Sequence, residues 1–266
     1  MIPPYAGPMV LSLGPLSFPI FGLLVATGVI VGHAVVMRLA KEKEVPAAEI
    51  RAAAAWALGA GFFGAHAFDV LLYHPDKLSR DGVVAFLKIQ DGISSFGGFF
   101  GALVGVAFYF HRLGKAWWVH ADILVQGLVV GWIFGRLGCA LTSDHVGHLS
   151  NFALAFSYPG GPRHNVGFYE LLYTALVLLP ALLLLRTQET GDRYRFFGER
   201  SLRPGIYVAV MSAFYAPARF ALDFLRAADL PNSDPRVLGL TGAQYFCIAL
   251  LAMALWIFHR AQRPTA

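Results

Sequence analysis

Charged residues are scarce in this chain of 266 residues: they make up 14% of it, against 57% hydrophobic residues. The mean hydropathy of +0.58 is too high for a soluble globular domain and is typical of a polytopic helical membrane protein. Only two cysteines occur, Cys139 and Cys247, which excludes a disulfide framework, while the question of whether they pair stays open. The long apolar runs also exclude the short alternating strands of a membrane barrel.

Lys and Arg are absent before the first apolar run, so the N-terminus MIPPYAGPMVLSLG lacks the basic region of a cleavable signal peptide. We therefore expect it to be retained. Seven apolar stretches are long enough to span a bilayer as helices. They predict an all-α polytopic membrane protein, a single transmembrane domain over 1–266, with helices at about 17–38, 51–73, 93–111, 120–141, 166–185, 205–225 and 241–259.

The distribution of Lys and Arg predicts the orientation of these helices. With the N-terminus outside, most of the 21 Lys and Arg residues fall in the inner connections, above all in the basic segment 186–204. The positive-inside rule then favours N-out and C-in, which makes 142–165 a periplasmic loop region. The net charge of +5 follows largely from this bias and requires no nucleic-acid partner.

Two arginines lie inside apolar segments, Arg136 in GLVVGWIFGRLGCAL and Arg219 in IYVAVMSAFYAPARFALDFL. An arginine at the centre of a membrane helix costs about 2.5–3.5 kcal/mol on insertion scales, so it normally faces protein, water or an anionic ligand. In the predicted orientation, polar side chains of six or seven helices share the outer half of the bilayer. The sequence thus predicts a site open to the outer leaflet for a phospholipid headgroup; the alternative is an arginine that snorkels from a helix end.

Glycines recur at four-residue spacing on the third and fourth predicted helices. Such spacing lets two helix backbones approach closely, so we expect these two helices to pack against each other. Gly97 and Gly98 are in addition candidates to line the ligand site. The glycines concerned are Gly97, Gly101 and Gly105, and Gly127, Gly131 and Gly135.

Six stretches, in this order, resemble bacterial prolipoprotein diacylglyceryl transferases: GAHAFDVLLYHP, GISSFGG, GRLGCALTSDHVG, RHNVGFYE, RFALDFLR and GLTGAQ. The third is similar to the family signature G-R-x-G-N-F-x-N-x-E-x-x-G. The resemblance implies a seven-helix enzyme of the bacterial inner membrane. It implies transfer of the diacylglyceryl group of phosphatidylglycerol to the lipobox cysteine of a prolipoprotein signal peptide, which forms a thioether. Membrane lipids would be its further partners, with no organic cofactor and no metal.

The resemblance places Arg136 and Arg219 at the family's two key arginines, and the planar fork of a guanidinium suits a phosphate group. Asp144 stands where the signature has a glutamate. His145 beside it is a candidate acceptor for the thiol proton, the alternative being a solvated loop histidine. These four are the predicted catalytic residues.

Further residues are predicted to line the substrate site. Glu170 is expected to pair with an arginine or to orient a partner. Arg219, Asp223 and Arg226 fall at i, i+4 and i+7, so Asp223 is expected to hold both guanidiniums; the alternative is an ion-pair ladder that only lowers the insertion cost. The predicted substrate-binding residues are His66, Ser95, Gly97, Gly98, Cys139, Gly147, Tyr169, Glu170, Asp223, Arg226 and Gln244.

The chain also departs from the family pattern. Phe96 replaces a family histidine, and Cys139 replaces the signature asparagine. His66 or His145 would then replace the lost imidazole, or the base is dispensable because a free thiol has a pKa of about 8.5. Cys139 itself fits a small buried packing residue better than a lipid-modified one.

These departures leave an alternative open: a divergent paralogue that binds or transfers another phospholipid group, or a non-catalytic lipid-binding membrane protein. A seven-helix receptor or transporter is a further alternative. The stretch 241–259 contains no lysine for a retinal receptor, and the internal repeats of many transporters are not evident.

Overall fold

The computed structural model describes residues 9–14, 16–88, 94–115, 117–187, 189–190, 193–195, 201–202, 204–230 and 233–262. Two π-helical turns, Asp69–Tyr73 and Thr174–Leu178, and one 3-10 helix, Gly82–Leu87, adjoin the α-helices of these ranges. The α-helices of these ranges are α1 (Ile20–Glu42), α2 (Ala47–Phe68), α3 (Pro75–Asp81), α4 (Ser95–Leu113), α5 (Trp118–Thr142), α6 (Val166–Tyr173), α7 (Leu179–Thr187), α8 (Ile206–Asp223) and α9 (Gly242–Gln262).

Short antiparallel strands lie between the helices, so the predicted all-α class is correct for the helices and incomplete for the connections. The predicted loop 142–165 folds into a three-stranded sheet in which Gly161–Asn165 lies between Val146–Leu149 and Phe156–Tyr158. Gly160 and Gly161 have φ of 90° and 123°, which lets the chain turn tightly between two of these strands. The strands are β1 (Val10–Leu13), β2 (Leu16–Pro19), β3 (Val146–Leu149), β4 (Phe156–Tyr158), β5 (Gly161–Asn165), β6 (Glu189–Thr190), β7 (Arg193–Arg195), β8 (Ser201–Leu202), β9 (Arg236–Val237) and β10 (Leu240–Thr241).

Several helices have the length and composition of membrane spans, as expected for a polytopic membrane protein. The predicted stretches 93–111 and 205–225 correspond to α4, which is described from Ser95, and to α8. The number of seven spans and the N-out orientation stay predictions. In the described part of the chain, five helices are long and apolar enough to cross a bilayer: Ile20–Glu42, Ala47–Leu71, Trp118–Thr142, Val166–Arg186 and Gly242–Ala261.

The chain divides into two compact units, one of residues 1–38 and 121–266 and the other of residues 39–120. In the second unit, α2 and α4 pack closely. A Cβ added at Gly97 would collide with the backbone of Gly64, so only glycine allows this approach.

The glycines of α5 meet a different helix. In the first unit, a Cβ at Gly131 would lie 2.7 Å from the carbonyl oxygen of Gly28 on α1, and one at Gly127 would lie 2.6 Å from that of Gly32. The prediction that the glycine stripes of α4 and α5 pack against each other is therefore wrong. The α4 stripe instead faces α2, and Gly127 and Gly131 face glycines of α1, while nothing lies within 4 Å of a Cβ at Gly135.

Gly131→Val is expected to lower the free energy of unfolding by about 1–3 kcal/mol, since the added methyl groups would enter occupied space against α1. Unfolding monitored by circular dichroism in detergent measures it. Gly22→Val on α1 is the matched control, because nothing lies within 4 Å of a Cβ at Gly22. Equal stability of the two variants would contradict this packing.

Asp122 on α5 holds the first turn of α8. Its side chain is fully buried, and its carboxylate accepts hydrogen bonds from the backbone N–H groups of Gly205 (2.6 Å) and Val208 (3.1 Å). The free N–H groups at a helix start need such acceptors. Asp122 therefore anchors α8, which carries Arg219, against α5, which carries Arg136.

Candidate active site

Three helices bring two buried arginines to one carboxylate. Arg136 on α5 places Nη2 2.9 Å from Glu170 Oε1, and Arg219 on α8 places Nε 3.6 Å from Glu170 Oε2. The three side chains are at most 4% exposed. The structure thus brings together the two arginines that the sequence analysis singled out, and Glu170 forms the ion pair expected of it.

Glu170 lies beside the last turns of α5 because of the start of α6. Asn165 caps α6, since its Oδ1 accepts from the backbone N–H of Phe168 (3.0 Å). The same side chain donates through Nδ2 to the carbonyl oxygen of Ala140 on α5 (2.9 Å). Gly167 lies directly against Cys139, because an added Cβ would come within 3.1 Å of the cysteine Cβ.

The Arg136 guanidinium retains unused hydrogen-bond donors. Its carbon Cζ lies 4.3 Å from the ring centroid of Trp132, in a cation–π contact. Nη1 reaches only a weak acceptor, the sulfur of Cys139, at 3.8 Å, and the buried Nε has no hydrogen-bond partner. Buried polar atoms are nearly always paired, so an unpaired donor marks a position where a ligand atom would be favourable.

The Arg219 guanidinium is held from its own helix. Nη1 donates to Asp223 Oδ1 at 2.5 Å, one turn further along α8. The other oxygen of Asp223 accepts from the hydroxyl of Thr241. Tyr215, one turn before Arg219, donates to Glu170 Oε1 at 2.6 Å. Glu170 Oε2 is buried without a hydrogen bond, and the Arg219 guanidinium faces it at 3.6 Å.

We call Arg136, Glu170, Arg219 and Asp223 the buried cluster. Its two guanidiniums and two carboxylates balance formally in charge. Taking four charges out of water is costly, and apolar residues of similar volume are often as stable or more stable. Such a cluster is consequently weak evidence for stability and better evidence for chemistry.

The last turn of α5 ends in a Schellman motif. Ser143 adopts a left-handed conformation with φ of 58°, and the N–H of Asp144 donates to the carbonyl oxygen of Cys139 (3.3 Å). Asp144 is exposed, and its carboxylate lies 2.8 Å from the hydroxyl of Thr142. Asp144 thus stabilises the helix end that carries Arg136, and its predicted catalytic role stays a prediction.

His145 follows directly, and its ring Nδ1 is buried without a hydrogen-bond partner. Burial, together with the positive charges of Arg136, Arg226 and Arg219, holds the pKa of His145 well below its usual value. The imidazole is therefore neutral near pH 7 and has a free position for a proton. This environment differs from that of a solvated loop histidine.

Gly147 has a packing reason to be glycine. It forms a β-bridge with Arg226, in the segment after α8, and a Cβ at Gly147 would lie 2.6 Å from both Leu225 O and His164 Cβ. The strand β3 can approach the end of α8 only because this side chain is missing.

Arg226 does not share Asp223 with Arg219; its Nη1 pairs with Asp234 Oδ2 at 2.6 Å. The prediction that Asp223 holds both guanidiniums is wrong. The physical reason is that α8 ends at Asp223, so the i+7 spacing no longer places Arg226 on the same helix face.

Tyr169 and Gln244 both use their polar atoms within the protein. The Tyr169 hydroxyl donates to Leu154 O (3.2 Å) and lies 2.8 Å from His164 Nδ1, next to the three-stranded sheet. Gln244 accepts from the N–H of Thr241 through Oε1 (3.0 Å) and donates to a carbonyl oxygen of α8 through Nε2.

The remaining predicted site residues belong to the unit of residues 39–120. His66 is buried, with Nε2 3.0 Å from Ala85 O. Gly97 and Gly98 lie in the interface of α4 with α2, and the Ser95 side chain is outside the described part of the structure. The role of these four residues in the site stays a prediction.

Three cluster neighbours, Trp132, Tyr215 and Thr241, were not predicted. Signals for them exist in the sequence: Trp132 precedes Arg136, and Tyr215 precedes Arg219, by one helical turn. The spacing of Thr241 and Gln244 matches a helix-capping box.

A known protein family matches most of this chain. The family model for prolipoprotein diacylglyceryl transferase matches residues 8–260. The chain belongs to this family. The resemblance of the six stretches is thereby confirmed, and so is the transferase class.

Curated relatives cover nearly the whole chain. The phosphatidylglycerol–prolipoprotein diacylglyceryl transferase of Allorhizobium ampelinum is 27% identical over 271 residues, which cover 98% of this chain and 91% of the relative. The protein of the same name from Nitratidesulfovibrio vulgaris is 26% identical over 276 residues, which cover 99% and 98%. Members of the diacylglyceryl transferase family therefore share the length of this chain at modest identity.

Proposed function

We propose that this protein transfers the diacylglyceryl group of phosphatidylglycerol to the lipobox cysteine of a prolipoprotein signal peptide. The names of the relatives support the reaction. The observation that carries the proposal is the buried cluster, in which Arg136 and Arg219 converge on Glu170 with little exposure to solvent.

The reaction requires stabilisation of a leaving phosphate. The lipobox thiolate attacks the glycerol carbon that carries the phosphate ester, so an S–C bond forms and a C–O bond breaks. Glycerol phosphate leaves with one additional negative charge, and the thiol proton passes to a base. Donors fixed where this charge develops lower the barrier, and they act more strongly where water is excluded.

The guanidiniums suit this task because they are both fixed and incompletely used. Arg136 offers two donors, its unpaired Nε and the Nη1 that reaches only sulfur, and each can bind a phosphate oxygen through a charge-assisted hydrogen bond. Glu170 and Asp223 hold the two forks in place before the lipid arrives. The phosphate would then bind without reorganisation of the site.

We assign the thiol proton to His145. The family histidine is Phe96 in this chain, so another acceptor is needed if the enzyme uses one. His145 is neutral, its pKa is lowered by the positive charges of Arg136 and Arg219, and its Nδ1 is unpaired. Its lowered pKa makes it a weak base, so it would accept the proton only from a thiol whose own pKa the nearby guanidiniums lower as well.

We place the protein in the bacterial inner membrane with seven spans, N-out and C-in. The bias of Lys and Arg supports this orientation. The ends of α5 and α8 and the start of α6 then lie toward the outer leaflet, so the buried cluster would receive both phosphatidylglycerol and the lipobox peptide from that side.

An assay with purified protein, labelled phosphatidylglycerol and a lipobox peptide tests the function. The expected products are the thioether-linked peptide, identified by mass spectrometry, and glycerol phosphate. A peptide with Ser in place of the lipobox Cys is the control. Transfer from a different phospholipid would support the divergent paralogue, and lipid binding without product would support the non-catalytic alternative.

A further inference from the structure

Asp223 has a second contact on its far side. Its Oδ1 receives the guanidinium of Arg219, and its Oδ2 accepts from the hydroxyl of Thr241, the residue that precedes α9. Asp223 is fully buried and Thr241 is 1% exposed. Both carboxylate oxygens are thus fixed, one by Arg219 on the same helix and the other by Thr241 just before α9.

Thr241 is itself held rigidly by a capping box. Its hydroxyl oxygen accepts from the backbone N–H of Gln244 (3.2 Å), and Gln244 Oε1 accepts from the backbone N–H of Thr241 (3.0 Å). This reciprocal pair satisfies two N–H groups at the start of α9. The single hydroxyl proton is then left for Asp223.

The Gln244 side chain of this capping box also binds the last turn of α8. Gln244 Nε2 donates to the carbonyl oxygen of Phe220 (3.1 Å), directly after Arg219 in the chain. Both polar ends of the Gln244 amide are therefore used inside the protein, which leaves this side chain a structural part rather than a contact to substrate.

We propose that Thr241 is a positioning residue that sets the Arg219 guanidinium through Asp223, and that Gln244 fixes Thr241 for this purpose. The inference rests on the proposed function, because it assigns Arg219 to the leaving phosphate. Without the hydroxyl, Asp223 Oδ2 would be buried and unpaired. The carboxylate would then turn toward the remaining donors of Arg219 and compete with the phosphate for them.

Thr241→Val, which removes the donor and keeps the shape, is expected to lower kcat by about 10-fold to 100-fold, the range for loss of a hydrogen bond to a charged group. KM for phosphatidylglycerol is expected to change little, because the charge on the phosphate develops in the transition state. Thr241→Ser keeps the hydroxyl and should restore kcat. Thr27→Val is the matched control, since that hydroxyl donates only to Leu23 O on an exposed face of α1.

A double-mutant cycle separates positioning from general stability. If Thr241 acts through Asp223, Thr241→Val should have almost no further effect on kcat in an Asp223→Asn background. An equal loss of kcat in both backgrounds, or full kcat in Thr241→Val, would overturn the inference. Should Thr241→Val not fold, Thr241→Cys, a weak donor at the same place, is expected to give intermediate kcat, and wild-type kcat there would overturn it as well.

The outcome for the wild-type protein distinguishes the two proposals. Absence of transfer by the wild type contradicts the proposed function itself. Transfer by the wild type that is insensitive to Thr241→Val contradicts only the positioning role. Melting temperatures of all variants in the same detergent show whether a loss of kcat comes from a loss of folding or from removal of the Thr241 hydroxyl.

Discussion

Arg136→Lys is expected to lower kcat for diacylglyceryl transfer by about 100-fold or more, the scale seen when one donor to a developing anion is removed. Lysine keeps the positive charge, but it cannot bind two phosphate oxygens with a planar fork. It also loses the contact of the guanidinium with Trp132. Its single ammonium nitrogen cannot pair with Glu170 and also occupy the positions of the Arg136 nitrogens that do not contact Glu170. Arg136→Ala should lose at least as much.

The measurement is turnover with labelled phosphatidylglycerol and a lipobox peptide, on protein shown to be folded by its melting temperature. Arg80→Lys is the matched control, because its side chain is 65% exposed and pairs only loosely with Asp81 (3.5 Å). Wild-type turnover in Arg136→Lys would show that the planar guanidinium is not required for the reaction. Wild-type turnover in Arg136→Ala would remove the residue altogether.

Sequence reasoning located the buried cluster because burial of charge has a physical cost that is visible without coordinates. Arg136, Glu170 and Arg219 each interrupt an apolar run, and the Lys and Arg bias assigns all three to one depth. Buried charges at equal depth reduce their cost by pairing, and Glu170 pairs with both arginines. The chain therefore predicted which groups would meet, although not which oxygen would contact which nitrogen.

The sequence could not identify helix partners from glycine spacing. Gly131 requires a small residue opposite it, but both α1 and α4 offer one, and the pattern contains no information that chooses between them. The partner of Arg226 was predicted wrongly for a related reason. α8 ends at Asp223, and the side chains that bind this end, Thr241 at the Asp223 carboxylate and Gln244 at the carbonyl oxygen of Phe220, come from a different segment.

The sheet within 142–165 could not be predicted from the sequence either, because it also depends on distant contacts. Each strand is only a few residues long, and the chain is held by contacts such as the bridge from Gly147 to Arg226, which follows a distant helix. Gly160 and Gly161 allow the tight turn between two strands, but a loop and a short hairpin have nearly the same composition. Tertiary contacts decide between them.

Glu170→Gln is expected to destabilise the protein by about 3–5 kcal/mol, the cost of leaving a buried charge without its partner. Glu170 is the one residue of the buried cluster that contacts both guanidiniums, and its side chain is 1% exposed. Glutamine has the same shape, so the loss measures charge rather than packing. The amide would also present a donor where the Tyr215 hydroxyl now donates at 2.6 Å.

Chemical unfolding in mixed micelles measures this loss, with Glu49→Gln as the matched control. Glu49 also pairs with two groups, Lys115 and His120, but its side chain is 18% exposed and Lys115 is 49% exposed. Exposed pairs of this kind contribute about 0–1 kcal/mol, so the control should remain near the wild type. If Glu170→Gln were as stable as that control, the charges of the two arginines would be hydrated rather than buried. The electrostatic basis of the proposed phosphate site would then be lost.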